Sequence, residues 1–104
     1  MNQEMERTIF AIIAQAGEAR AQAYSALDSL RRKDFAEARR SIEQARSILG
    51  DIHKTHADLV MREARGEDLN ISLLLIHAED ILMAASSETA LVERIIEIVA
   101  EIAK

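Results

Sequence analysis

A chain of 104 residues with a formal charge of −5, three glycines and neither proline nor cysteine has room for one core and little more. The missing cysteine excludes disulfides, thiolate ligands and a thiol nucleophile, and the acid excess argues against nucleic acid, whose phosphates need clustered Lys and Arg. With alanine, leucine, isoleucine, glutamate and arginine dominant and only three aromatics, the expected fold class is all-α, residues 1–104 forming a single domain. The N-terminal MNQEMERTIF lacks the apolar core of a signal peptide. No apolar stretch nears the roughly 20 residues of a membrane span. A cytoplasmic chain without direct membrane insertion is expected.

Three helices follow in chain order. The first is predicted from about Gln3 to Arg32, with Ile9, Ile13, Ala16, Ala23, Leu27 and Leu30 in steps of three and four and Arg20 the one interruption. Arg31-Arg32-Lys33 suits a helix C-terminus, and Asp34 with Glu37 three residues on reads as a variant capping box. The connection is therefore short and the first two helices should be antiparallel neighbours. The second helix carries Phe35, Ala38, Ile42, Ala45, Leu49, Ile52, His56 and Leu59 on one seam, to about Ala64, with Gly66 as the C-cap signal. The third is predicted from about Asn70 to the end.

The third helix holds an anomaly in LLLIHAEDILM (73–83), where a histidine and two carboxylates interrupt an apolar run. With Leu74 at zero and about 100° per residue, the later apolar arc centres near 300°, His77 falls at about 300° and Asp80 at about 240°. Both should point with the apolar face. Between Ile71 and Ala85 the helix is apolar nearly all round, and a helix of that kind is buried on every side. Two partner helices cannot enclose it, so the three-helix bundle should self-associate, with His77 and Asp80 in or beside the contact. Composition alone allows a dimer or a trimer.

Each group also has a plain structural reading. A buried histidine is commonly a hydrogen-bonded core residue, and His77 and Asp80, three apart, could simply be partners. Glu79, near 140°, could be solvated or paired. His53 and His56 have the spacing of a two-ligand metal pair with no third ligand in view. A di-metal carboxylate bundle wants Glu-x-x-His sets from several helices, which Asp58, His56 and Glu63 do not supply. The arginine-rich faces read as solvated surface.

Taken together, GEARAQAYSAL (17–27), KDFAEA (33–38), Ile52-His53 and SLLLIHAEDILM (72–83) resemble the lactose/cellobiose-type IIA component of the bacterial sugar phosphotransferase system. That family's pattern runs G-x-A-R-x-x-A-Y-x-A-L, G-D-F-x-x-A, A-H-x-x-Q-T and S-L-x-x-V-H-A-Q-D-H-L-M. The resemblance spans essentially the whole chain in order. It implies a three-helix antiparallel bundle assembling as a homotrimer, with His77 as the phosphorylated residue and His53 in the site's surroundings. It also implies one Asp80 per subunit meeting at the three-fold axis around Mg²⁺ or another divalent cation. The implied partners are HPr as phosphate donor, a IIB component whose cysteine accepts it, and indirectly the membrane IIC transporter of a disaccharide-type sugar (lactose, cellobiose or chitobiose class).

Such chemistry suits an imidazole, a competent nucleophile near neutral pH, in an apolar surround that limits attack by water on phosphohistidine. Four positions depart from the pattern: Glu79 and Ile81 replace Gln and His in the last motif, and His56 and Ala57 replace Gln and Thr in the second helix. Glu79 is expected to add charge near an incoming phosphate, Ile81 to remove a donor, and His56 to offer one nearby. The alternative is a divergent regulatory or structural helical oligomer without phosphotransfer, in which His77 and Asp80 only fix register.

Overall fold

The computed structural model describes residues 2–104, which form three helices and, among the described residues, no strand: α1 (Gln3–Arg31), α2 (Phe35–Ala64) and α3 (Leu73–Ile102). Each N-terminus is closed by a side chain that accepts a backbone N–H three residues on. Asn2 accepts from Met5, Asp34 from Glu37 and Ser72 from Leu75. The first two C-termini end alike. Lys33 N–H donates to Leu30 and Asp34 N–H to Ser29, as Gly66 N–H does to Glu63 and Glu67 N–H to Arg62, the paired bonds of a Schellman turn. That turn needs a left-handed residue, supplied by Gly66 at φ 93° and by Lys33 at φ 62°. Only the glycine takes it without steric cost.

α3 starts at Leu73 rather than near Asn70. Asn70 is held at φ 53° and its N–H donates to the Asp68 carboxylate at 2.8 Å, a local turn that competes with helix. Ser72 then provides the cap.

The helices run up, down and up, with α1 packed against both others. α1 turns a row of alanines inward, Ala16, Ala19, Ala23 and Ala26, all fully buried, and such small side chains let neighbouring helices come close. Larger side chains fill the two ends. Ile9, Ile12, Ile52 and Leu82 belong to one cluster, and Leu30, Ile42, Val92 and Ile96 to the other. The α1 seam is rotated slightly from the predicted one: Ile12, Ala19 and Ala26 are buried, while Ile13 and Leu27 lie half out. Arg20, the apparent interruption, sits at the edge of the seam and spans to α3.

The bundle measures 54 × 21 × 18 Å with a radius of gyration of 16.2 Å, against about 13 Å for a compact chain of this length. Its accessible surface is 6754 Å², where a monomer of this mass is expected to show roughly 5,800 Å². Large apolar side chains contribute to it, Leu73, Leu91 and Ile102 being the most exposed among them. Among the described residues no helix is long and apolar enough to cross a membrane.

Candidate functional site

α3 has two faces with opposite fates. Leu75, Ala78, Leu82, Ala85, Thr89, Val92 and Ile96 face the other helices and are buried. The arc predicted to centre near 300° straddles two faces: Val92 and Ile96 are buried and Ile95 and Val99 pack against the core, while an arc centred near about 260° lies open. Leu73 is 82% exposed, Leu91 62%, Ile98 54% and Ile102 77%. His77 and Asp80 are exposed on this same open arc. They do point with apolar residues, as the sequence suggests, but with those that one chain leaves uncovered.

The open arc has a regular step. Leu73, His77, Asp80, Ala84, Ser87, Leu91, Arg94 and Ile98 follow the alternating four- and three-residue spacing of a coiled-coil seam, with Ile102 four further on. His77 and Asp80 occupy adjacent seam positions near its N-terminal end. Ile76 and Met83, 49% and 45% exposed, border them with apolar surface.

The three histidines differ in their surroundings. His53 Nε2 lies 3.1 Å from the Ser86 hydroxyl, whose own proton goes to the Leu82 carbonyl at 2.9 Å, so the imidazole is the donor. His56 Nδ1 lies 2.5 Å from Glu79 Oε2. Both atoms are buried and neither has an aligned hydrogen-bond partner, so the contact is one of proximity and charge, an ion pair when the imidazole is protonated. His77 makes no side-chain hydrogen bond or ion pair among the described residues. It is the free imidazole of the three.

The sequence-predicted residues therefore fall into two groups. His77 and Asp80 share the outer seam, while His53, His56 and Glu79 line the α2–α3 boundary. His53 does not reach His77 within one chain, because its partner Ser86 stands nine residues on, about 180° around the helix from His77. Glu79 is likewise turned to the α2 side and is not a free charge beside the imidazole. Ile81 is half-buried and packs against the larger core cluster, so its side chain belongs to the bundle interior.

Three polar contacts ladder α2 to α3: His56–Glu79, His53–Ser86 and Arg46–Glu93, the last at 2.9 Å. Glu79, Ser86 and Glu93 are seven residues apart, a repeat visible in the sequence once the register of α2 is known. Across the α1–α3 boundary, Arg20 grips Glu88 with Nη2 at 2.9 Å and Nε at 3.3 Å. Tyr24 and Arg20 together hold the Glu88 carboxyl below its ordinary 4.5, and Glu88 raises the guanidinium in return. This accounts for the Arg and Tyr spacing of GEARAQAY.

Among the described residues no group of three or more His, Asp or Glu side chains is placed to hold a metal. The His53–His56 pair, with ring centroids 6.5 Å apart, gains no third ligand. Asp80 is an exposed carboxylate on the open seam, with no side-chain hydrogen bond or ion pair among the described residues.

An exposed imidazole set in an apolar seam on a three-helix bundle defines the class of this protein. Comparison with known proteins gives the class a family. Residues 7–100 match the family described as PTS system, Lactose/Cellobiose specific IIA subunit, and the chain belongs to it. It is 37% identical over 98 residues to the lichenan-specific phosphotransferase enzyme IIA component of Bacillus subtilis, covering 94% of this chain and 89% of that one. The crystal structure of the cellobiose-specific enzyme IIA from Bacillus anthracis superposes with a TM-score of 0.91 at 33% identity, covering 98% of this chain and 94% of that one. The IIA(chitobiose) of Escherichia coli, solved in solution in complex with HPr, gives 0.84 at 29% identity, covering 99% and 100%.

Proposed function

We propose that this IIA component carries a phosphoryl group on His77 between phospho-HPr and the cysteine of a IIB partner in the cytoplasm, during uptake of a disaccharide-type sugar. In the first step an unprotonated ring nitrogen of His77 attacks phosphorus, the P–N bond of phospho-HPr breaks, and the donor histidine recovers its electron pair. In the second step a IIB thiolate attacks the same phosphorus and the P–N bond to His77 breaks. Neither step needs a proton at the phosphoryl oxygens, so positioning and shielding from water carry the catalysis. The observation that carries the reading is the exposed, unpartnered His77 imidazole in a matching family motif. The solved complex of a relative with HPr supports the donor. Relatives named for lichenan, cellobiose and chitobiose support the class of sugar.

The working unit proposed is a homotrimer joined along the open seam of α3. Three Asp80 carboxylates brought together on its axis would repel, and Mg²⁺ or another divalent cation bound there would neutralise them. Asp80 fits that role by being exposed and unpaired. The ion's part would be structural. The test is incubation with phosphoenolpyruvate, enzyme I and HPr, followed by mass spectrometry. One acid-labile phosphate per chain is expected, and none in His77→Gln. A protein that takes up no phosphate is instead the regulatory or structural oligomer.

A further inference from the structure

The two polar departures from the family pattern, His56 and Glu79, are in contact. They stand on different helices and 23 positions apart in the chain, yet His56 Nδ1 and Glu79 Oε2 approach to 2.5 Å and each has no other polar partner. The pattern has glutamine at both positions, so two neutral amides have been replaced by one chargeable acceptor and one chargeable donor. A glutamine facing either one could still hydrogen-bond to it, because an amide both donates and accepts, but a buried carboxylate facing an amide keeps an uncompensated charge. Together the imidazole and the carboxylate can compensate each other.

The place of this pair gives it a function. Glu79 is two residues from His77 and about 200° around the helix from it. Held by His56, the carboxylate stays on the α2 side and off the face where phosphate would arrive. The same two side chains form part of the wall of a cleft of 240 Å³, whose apolar lining includes Val60, Ile71 and Ile76 and whose rim includes Asp80. Ile76 and Asp80 flank His77 in the same turn. Glu79 and His77 thus share one helical turn, the carboxylate on its α2 side and the imidazole on its outer face.

We propose that His56 and Glu79 act as one coupled positioning element for phosphoryl transfer at His77. The inference rests on the reading of His77 as the phosphoacceptor. A residue that positions the imidazole alters the rate of the transfer step, while docking of the donor depends on exposed surface, of which these two side chains, 33% and 25% exposed, offer little.

The test compares wild type, His56→Gln, Glu79→Gln and the double variant in single-turnover phosphorylation by phospho-HPr at varied donor concentration. Circular dichroism establishes that each is folded. Each single variant is expected to lose about tenfold in maximal rate, with half-saturation within about twofold of wild type. The double variant, with two amides able to pair, is expected to recover to within about threefold. Single variants at the wild-type rate, whatever their melting temperatures, would reduce the pair to a structural contact. A double variant as slow as the product of the singles would deny the coupling. A wild-type protein that accepts no phosphate would remove the carrier reading and this inference with it, an outcome visible before any variant is made.

Discussion

Leu91→Glu is the sharpest test of how the bundle covers its open seam. Leu91 is 62% exposed and lies outside both core clusters, so a monomer gains nothing from its apolar character. In a trimer closed along the seam the same side chain is buried three times over. At that exposure roughly 100 Å² of apolar surface is withdrawn per leucine, about 2.5 kcal/mol at ~25 cal/mol/Å². Three copies give at most about 7.5 kcal/mol of assembly free energy, and the true figure is smaller because association has its own costs. Glutamate forfeits this and adds three like charges near one axis. The wild-type chain is expected to run as a trimer in multi-angle light scattering at micromolar concentration, and Leu91→Glu as a folded monomer of unchanged helicity. Met61→Glu is the control, because Met61 is 57% exposed but faces outward on α2, and it should leave the mass unchanged. A wild-type monomer, or a Leu91→Glu trimer as tight as wild type, would refute the seam as the contact.

His77→Gln should abolish acid-labile labelling with helicity intact, while His53→Ala, which loses only the Ser86 contact, should slow labelling without stopping it. Asp80→Leu should make the oligomer indifferent to chelator, as light scattering with and without EDTA would reveal, and replacing buried like charges by apolar groups is often stabilising. Lys33→Gly relieves a left-handed backbone at φ 62° and should stabilise the fold by about 1 kcal/mol, raising the melting temperature by roughly 4–8 °C. Two carboxylates are held below their ordinary value in the fold, Glu67 by Arg62 and Glu88 by Tyr24 and Arg20. Their contribution is present above the unfolded value of 4.5 and lost as the pH falls through the lower folded one, so Glu88→Gln should flatten the acid side of the melting-temperature profile.

The helices were legible because their signals are local. Asp34 and Gly66 mark a start and a stop by chemistry that acts within a turn, and both caps are where the sequence puts them. The start of α3 was missed by three residues because Asp68 offers the Asn70 amide a better partner than the helix does. The site was less legible for a geometric reason. Apolar residues surround the first half of α3 and so define no single inward direction. The later half contributes Leu91, Ile98 and Ile102 to the open face as well as Val92 and Ile96 to the closed one, which drags the apparent centre of the arc toward the seam. Periodicity can say that a face is apolar. It cannot say which molecule covers it. The contact of His56 with Glu79 was unreadable because it depends on the register between two helices, and no local pattern encodes that.

The same ambiguity explains how one helix can meet two opposed demands. On the function proposed above, a phosphohistidine at His77 needs scarce water to survive, yet the residue has to be touched by two different proteins in turn. Burying it in the core of one chain would meet the first demand and defeat the second. A fully solvated surface would do the reverse. Placing the imidazole on a seam that a single chain leaves open would let the neighbouring copies of the proposed trimer supply the apolar surround while a groove between them stayed accessible. The stability of the fold does not depend on that seam, since the core clusters contain none of Leu73, Leu91, Ile98 or Ile102. The seam is therefore free to be set by assembly and transfer. A charge placed on it at Leu91 should cost the trimer without costing the bundle, and the loss of labelling that follows in Leu91→Glu would tie the reactivity of His77 to its neighbours rather than to its own chain.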